Sequence, residues 1–220
     1  YSLLSHDAAM SERRALLPRA PRSNKAAPTA SLFIGQEGGS LFAPFPKRAA
    51  PQADRMYVSR NGTQVERLRH LIAKAEAGPK QYDAVQYGAR IKTPKPPTQM
   101  TIAEIYNWID ETPGQPHAIG RYQFIPPTLR SLVKRLGIDK NARFSPRVQD
   151  QLADILLVEA GLIEASKGEM PRHAFMNNLA KIWAGLPNST GKSHYHGHAG
   201  NKASMTWGFF DREMARIFPS

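Results

Sequence analysis

A helical rhythm of apolar residues sets in near residue 63. In TQVERLRHLIAKAE, Val65, Leu68, Leu71, Ile72 and Ala75 recur at intervals of three and four, the stripe of an amphipathic helix. Thr63 and Glu66 form a capping box at its start, each side chain accepting from the other's backbone N–H. Gly78-Pro79 predicts the stop. A second capping box, Thr101 and Glu104, opens TIAEIYNWID, with Ile102, Ile105, Tyr106 and Ile109 on one side. Pro127 opens a helix to about Leu136, with Gly137 after it. Ser145-Pro146 opens another that reaches about Glu159, before Gly161. Further helices are expected over about 172–184, in RHAFMNNLAKIWAG, and over 203–217. Between the first two helices, YDAVQYGARIKTPKPPTQ has no helical period. Tyr82, Val85, Tyr87 and Ile91 suit a small β-hairpin or an ordered loop, closed off by the proline cluster. The expected fold class is mainly α, of α+β type, with this small insertion after the first helix.

Residues 1–55 carry no sustained period. RRALLPRAPRSNKAAPTA is rich in Pro, Ala and Arg, and reads as a disordered arm. Two apolar islands, SLFIG at 31–35 and SLFAPFP at 40–46, interrupt it; either they dock on a folded surface or they ride on a tethered coil. The domain division is therefore 1–55 for the arm and 56–220 for the folded part.

Composition narrows the chemistry. The chain has 220 residues, 41% of them hydrophobic, with 18 prolines and a net charge of +12. So positive a chain implies an anionic partner: nucleic acid, a membrane surface or a cell-wall polymer. There is no cysteine, which excludes disulfides, thiolate metal sites and cysteine nucleophiles. No apolar run is long enough to span a bilayer. The first residue is Tyr1, so a trimmed product that has lost a signal peptide is expected.

One residue breaks the first stripe. At 100° per residue, Glu76 falls about 40° from Ile72 and about 20° from Val65, on the apolar side of the last helical turn. Partial burial disfavours its anion, and so does the negative end of the helix dipole. A carboxyl kept protonated near neutrality suits a general acid. The plain alternative is a surface Glu on a frayed last turn, paired with Lys74 or Lys80.

Several segments then follow in a telling order: YDAVQYG at 82–88, HAIGRYQFIPPTL at 117–129, FSPRVQDQLA at 144–153, NLAKIWAGLP at 178–187 and GKSHYHGHAGNKA at 191–203. With Glu76 before them, this series resembles the lambda-type phage endolysins, lytic transglycosylases of the lysozyme-like superfamily. GRYQ, FSP-x-x-QD and IWA-x-LP carry the resemblance together, over about 65–205. It implies a lysozyme-like fold and peptidoglycan glycan strands as the substrate, cut between N-acetylmuramic acid and N-acetylglucosamine. It places Glu76 as the single catalytic acid, giving a 1,6-anhydro product with no cofactor. It also implies that the segment of Gly120, Arg121, Tyr122 and Gln123 lines the cleft, and that Tyr195 lies near the acid. Three departures bear on the cleft's roof: a short link from Glu76 to Tyr82-Asp83, Ala77 in place of a small hydroxyl residue, and a long insertion at 92–116.

Alternatives stay open. Asp83 either serves as a second carboxylate in a hydrolytic lysozyme or caps loop N–H groups. His194, His196 and His198 alternate, yet no nearby acid or Cys completes a metal set, so no metal is expected. Phe124 and Trp183 fit the core, while Trp108 and Trp207 are left as sugar platforms or core. A non-catalytic peptidoglycan-binding scaffold is a second reading. Nucleic-acid binding has only charge behind it and no recognised motif, so no nucleic-acid partner is expected. The long arm favours a periplasmic or cell-envelope protein with an envelope partner at the arm; a phage endolysin is the alternative.

Overall fold

Both capping boxes form in the computed structural model, which describes residues 62–197 and 201–219. The arm at 1–55, its two Ser-Leu-Phe islands and the division at residue 56 lie outside the described residues. Helix α1 spans Gln64–Glu76; Thr63 donates its N–H to the Glu66 carboxylate at 2.7 Å, and its hydroxyl accepts from the Glu66 N–H at 3.2 Å. Helix α2, Ile102–Glu111, repeats the device with Thr101 and Glu104. The stripes then bury as the spacing requires: Leu68, Leu71, Ile72 and Ala75 from α1, and Ile102, Ile105, Tyr106, Trp108 and Ile109 from α2. The helix within the 92–116 insertion is thus part of the core rather than a flap over it.

Helix α3 spans Pro126–Arg135, and α4 spans Pro146–Ala160 behind Ser145, whose hydroxyl caps Val148. Gly161 ends α4 with φ +103°, a conformation that costs a residue without Cβ little. A short α5, Leu162–Ser166, follows directly, which the apolar period did not reveal. Helix α6, Arg172–Ile182, stops two residues earlier than its apolar pattern suggests, because Trp183 turns extended. Helix α7, Trp207–Ile217, begins later than residue 203, where Thr206 caps the Phe209 N–H. α1 packs on α7, α4 on α3, α5 and α6, and α6 on α7. The molecule is mainly helical, consistent with a lysozyme-like arrangement.

Of the two forms expected for 82–91, the ordered loop is the one present. Gly78–Asp83 winds as a 3-10 turn, and Ala84–Gln86 then runs extended, but not back against its own continuation. It pairs with residues 118–120: Gly120 N–H donates to Ala84 at 2.7 Å and Gln86 N–H to Ala118 at 2.8 Å. The hairpin lies further on. Ile119 and Phe124 exchange both backbone hydrogen bonds, at 3.1 and 2.9 Å, around the four residues Gly120 to Gln123. GRYQ is therefore a hairpin loop, with φ of +79° at Gly120 and +48° at Gln123.

Candidate active site

Glu76 ends α1 and meets the segment that leaves α6. Because α6 stops at Ile182, the Gly185 N–H is free of helix bonding and donates to Glu76 Oε1 at 2.8 Å. Only glycine fits there. A Cβ on residue 185 would lie 2.5 Å from the Ala75 carbonyl oxygen and 3.0 Å from Glu76 Oε1. Ser204 holds the same glycine from behind, donating its N–H at 2.8 Å and its hydroxyl at 3.0 Å to the Gly185 carbonyl.

The Glu76 carboxyl is crowded by protein while the residue as a whole keeps some exposed surface. Burial drives its pKa up from the usual carboxylate range to about 7, and the single N–H from Gly185 offsets this only in part. Around it a narrow pocket is lined by Tyr122, Gln123, Phe124, Ile125, Thr128, Leu156, Ile182, Trp183 and Ala184. Among the described residues, no second carboxyl lines that pocket. A half-protonated acid among aromatic and aliphatic walls can give up a proton and take one back near neutral pH.

The four GRYQ residues do not all face this pocket. Gln123 and Tyr122 line it, and Gln123 Nε2 also donates to the Gly120 carbonyl at 2.9 Å. Tyr122 is buried, and its hydroxyl donates to Asp150 at 2.6 Å. Gly120 makes its close approach to protein: a Cβ would sit 2.5 Å from Gln149 Oε1 and 2.8 Å from the Phe144 ring. Arg121 lines a separate cavity of about 350 Å³, with Arg69, His70, Tyr82 and Asp150. Its guanidinium donates to the Tyr82 hydroxyl at 2.6 Å, contacts His70 Nδ1 at 2.8 Å and stacks on the Tyr82 ring. Burial and the Arg121 charge both push the His70 pKa down, which fits a neutral imidazole accepting at Nδ1.

Two α4 residues join these parts. Gln149 is fully buried; it accepts the Arg121 N–H and donates to the carbonyls of Tyr82 and Phe144. Asp150 accepts from the hydroxyls of Tyr82 and Tyr122 and pairs with Arg69 at 3.4 Å. The motifs YD, GRYQ and QD are thus wired to one another, and the wiring holds the Tyr122 ring beside Glu76. Sequence reasoning passed over Gln149, Asp150 and Gly185 as functional residues. The signal was there: each sits inside a quoted motif, and Gly185 is the position left variable in IWA-x-LP.

Tyr195 is half-buried in the loop beyond α6, where its hydroxyl donates to the Lys181 carbonyl, one residue before the pocket-lining Ile182. Tyr195 itself does not appear in the pocket lining. Asp83 Oδ1 accepts the Thr98 N–H at 2.8 Å, and the residue is absent from the pocket lining. His194 and His196 are exposed, and His198 lies outside the described residues. Trp183 is buried yet contributes to the pocket wall; Trp108 is buried too, its indole N–H on the Ile91 carbonyl. Trp207 is half-buried at the start of α7, edge-on to His173. No helix among the described residues is long and apolar enough to cross a membrane.

The Endolysin family model matches residues 98–209. The match takes in GRYQ, the QD pair, Gly185 and Tyr195, and begins after Glu76 and Asp83, so the case for those two rests on geometry. No curated protein and no solved structure matches the chain.

Proposed function

Since the chain belongs to the Endolysin family and is thereby a peptidoglycan-degrading enzyme, we propose that it acts as a lytic transglycosylase with Glu76 as its one catalytic carboxyl. The protonated Glu76 gives its proton to the oxygen that links N-acetylmuramic acid to the next sugar, and the C1–O bond breaks. The resulting carboxylate then takes the proton of the same sugar's C6 hydroxyl as that oxygen bonds to C1. The 1,6-anhydro ring closes, and Glu76 is protonated again. No water and no second carboxylate enter the cycle, unlike the two-carboxylate glycosidases.

The observation that carries this reading is a carboxyl with its pKa near 7 in a pocket that no second acid lines among the described residues. The hydrolytic rival would need Asp83, whose carboxylate is bound to the Thr98 amide. Gln123 supplies polar groups suited to the N-acetyl and hydroxyl groups of the glycan, and Tyr195 is proposed to reach the same strand from the loop beyond α6. We also place the chain among phage lysis enzymes, the setting that the family match fits; an envelope partner at the arm is not required by this chemistry.

The test is digestion of purified peptidoglycan by wild type, Glu76→Gln and Asp83→Asn, with products read by mass spectrometry. Anhydro-muropeptides from wild type and Asp83→Asn, and none from Glu76→Gln, are expected. Reducing-end products that vanish with Asp83→Asn would replace this mechanism by hydrolysis. Binding to sacculi without cleavage by any of the three would replace it by the scaffold role.

A further inference from the structure

The loop that follows α1 concentrates charge. Residues 79–100 hold Lys80, Arg90, Lys92 and Lys95 against a single acid, Asp83. Asp83 is turned to the Thr98 amide, and Lys95 pairs with Glu104 at 2.8 Å. Lys80, Arg90 and Lys92 remain as an exposed cationic face. Lys92 is fixed: its ammonium donates to the carbonyls of Gln86 and Tyr87 at 2.8 and 2.9 Å and lies 6.0 Å from the Tyr87 ring centre. An ammonium has three N–H donors, so one is left after those two carbonyls. Lys80 is close enough to help depress the Lys92 pKa, behind the larger effect of burial.

Among these cations stand two large apolar side chains turned to solvent, Tyr87 at 67% and Ile91 at 59% exposure. One exposed apolar residue means little. Two of them within a cluster of cations form a surface for a ligand that is both anionic and partly apolar. The loop is also joined by backbone pairing to the segment that reaches the Glu76 pocket. Ala84–Gln86 pairs with residues 118–120, and the chain continues through the hairpin loop to Gln123 in the Glu76 pocket. From Ala84 to Tyr87 is about 10 Å of extended chain.

We propose that Lys80, Arg90 and Lys92, with Tyr87, grip the carboxylate-bearing peptide stems of the glycan strand being cut. The proposal rests on the peptidoglycan reading above. Stems supply what the surface lacks: repeated carboxylates spaced along a polymer already held at Glu76. The loop thereby favours peptide-substituted strands over bare glycan.

The experiment uses the full chain and sacculi stripped of accessory phosphate polymers, either native or with their carboxylates converted to amides. Lys80→Gln/Arg90→Gln removes two charges and leaves Lys92 on its carbonyls, so the loop keeps its shape. Two exposed charge contacts are lost, so the half-saturating amount of native sacculi should rise by roughly twofold to thirtyfold, with the maximal rate unchanged. On amidated sacculi wild type and variant should behave alike. Equal weakening on both substrates, or none on native sacculi, overturns the proposal. A difference seen only when phosphate polymers are left on the sacculi overturns it in favour of those polymers. If wild type cuts nothing yet pellets with native sacculi more than with amidated ones, the surface stands and the catalytic reading falls.

Discussion

Glu76→Gln keeps the shape of the side chain and the oxygen that accepts the Gly185 N–H, and it removes the ionisable group. Its effect on stability should depend on pH in a way fixed by the structure. Burial raises the folded-state pKa from 4.5 to about 7, while the unfolded chain keeps the ordinary value. Below pH 4.5 both states hold the proton, and wild type and variant should be about equally stable. As pH rises toward 7, the unfolded state ionises freely and the folded state resists, so the native protein loses stability relative to the variant. A shift of this size corresponds to about 3 kcal/mol, fully developed above pH 7. Urea unfolding of both proteins at steps from pH 4 to pH 9 measures it. The variant should gain on wild type through that window, by an equivalent of roughly 6–12 °C in melting temperature at the alkaline end. A stability difference that stays flat across the range would mean that Glu76 has an ordinary pKa, and the general-acid argument would fall with it. The pH profile of kcat/KM should show the same group, falling as pH rises past about 7.

Other contacts can be tested by substitution. Gly185→Ala drives a methyl against the Ala75 carbonyl; a loss of about 1–3 kcal/mol in denaturant and of most turnover is expected, because the N–H on Glu76 is displaced. Asp150→Ala leaves the buried Tyr122 hydroxyl and the Tyr82 hydroxyl without their acceptor, at roughly 2–4 kcal/mol, and a lower kcat should accompany it as the Tyr122 ring leaves the pocket wall. Gln149→Ala strands the Arg121 N–H and the carbonyls of Tyr82 and Phe144; unfolding at a lower urea midpoint by about 3 kcal/mol is expected.

How much of this was legible beforehand differs by element. The capping boxes at Thr63 and Thr101 and the stop at Gly161 are local devices, and the sequence fixes them within a few residues of chain. The apolar stripe of α1 sufficed to pick out Glu76 as an acid on the buried side. The end of α6 was misjudged because Ile182 and Trp183 continue the apolar period, while the chain turns extended at Trp183 and meets Glu76 of α1 at Gly185. Residues 82–91 were open to a hairpin or an ordered loop and form the loop, while a hairpin lies at 119–124; alternation marks a strand but does not say which strand it pairs with.

The sequence by itself determined the longer helices to within a few residues, the two capping boxes and the candidate acid, though not the short α5, since each depends on neighbours within about one helical turn. Tertiary structure alone decided that Gly185, 109 residues from Glu76, supplies the N–H on its carboxyl, and that Asp150 holds Tyr122 against the same pocket. It also decided that Asp83 is taken by a loop amide and that Arg121 belongs to another cavity. Those facts depend on which surfaces meet when the helices pack, and so does the acidity of Glu76: a carboxyl's pKa follows the burial that distant residues impose on it, which no local pattern encodes.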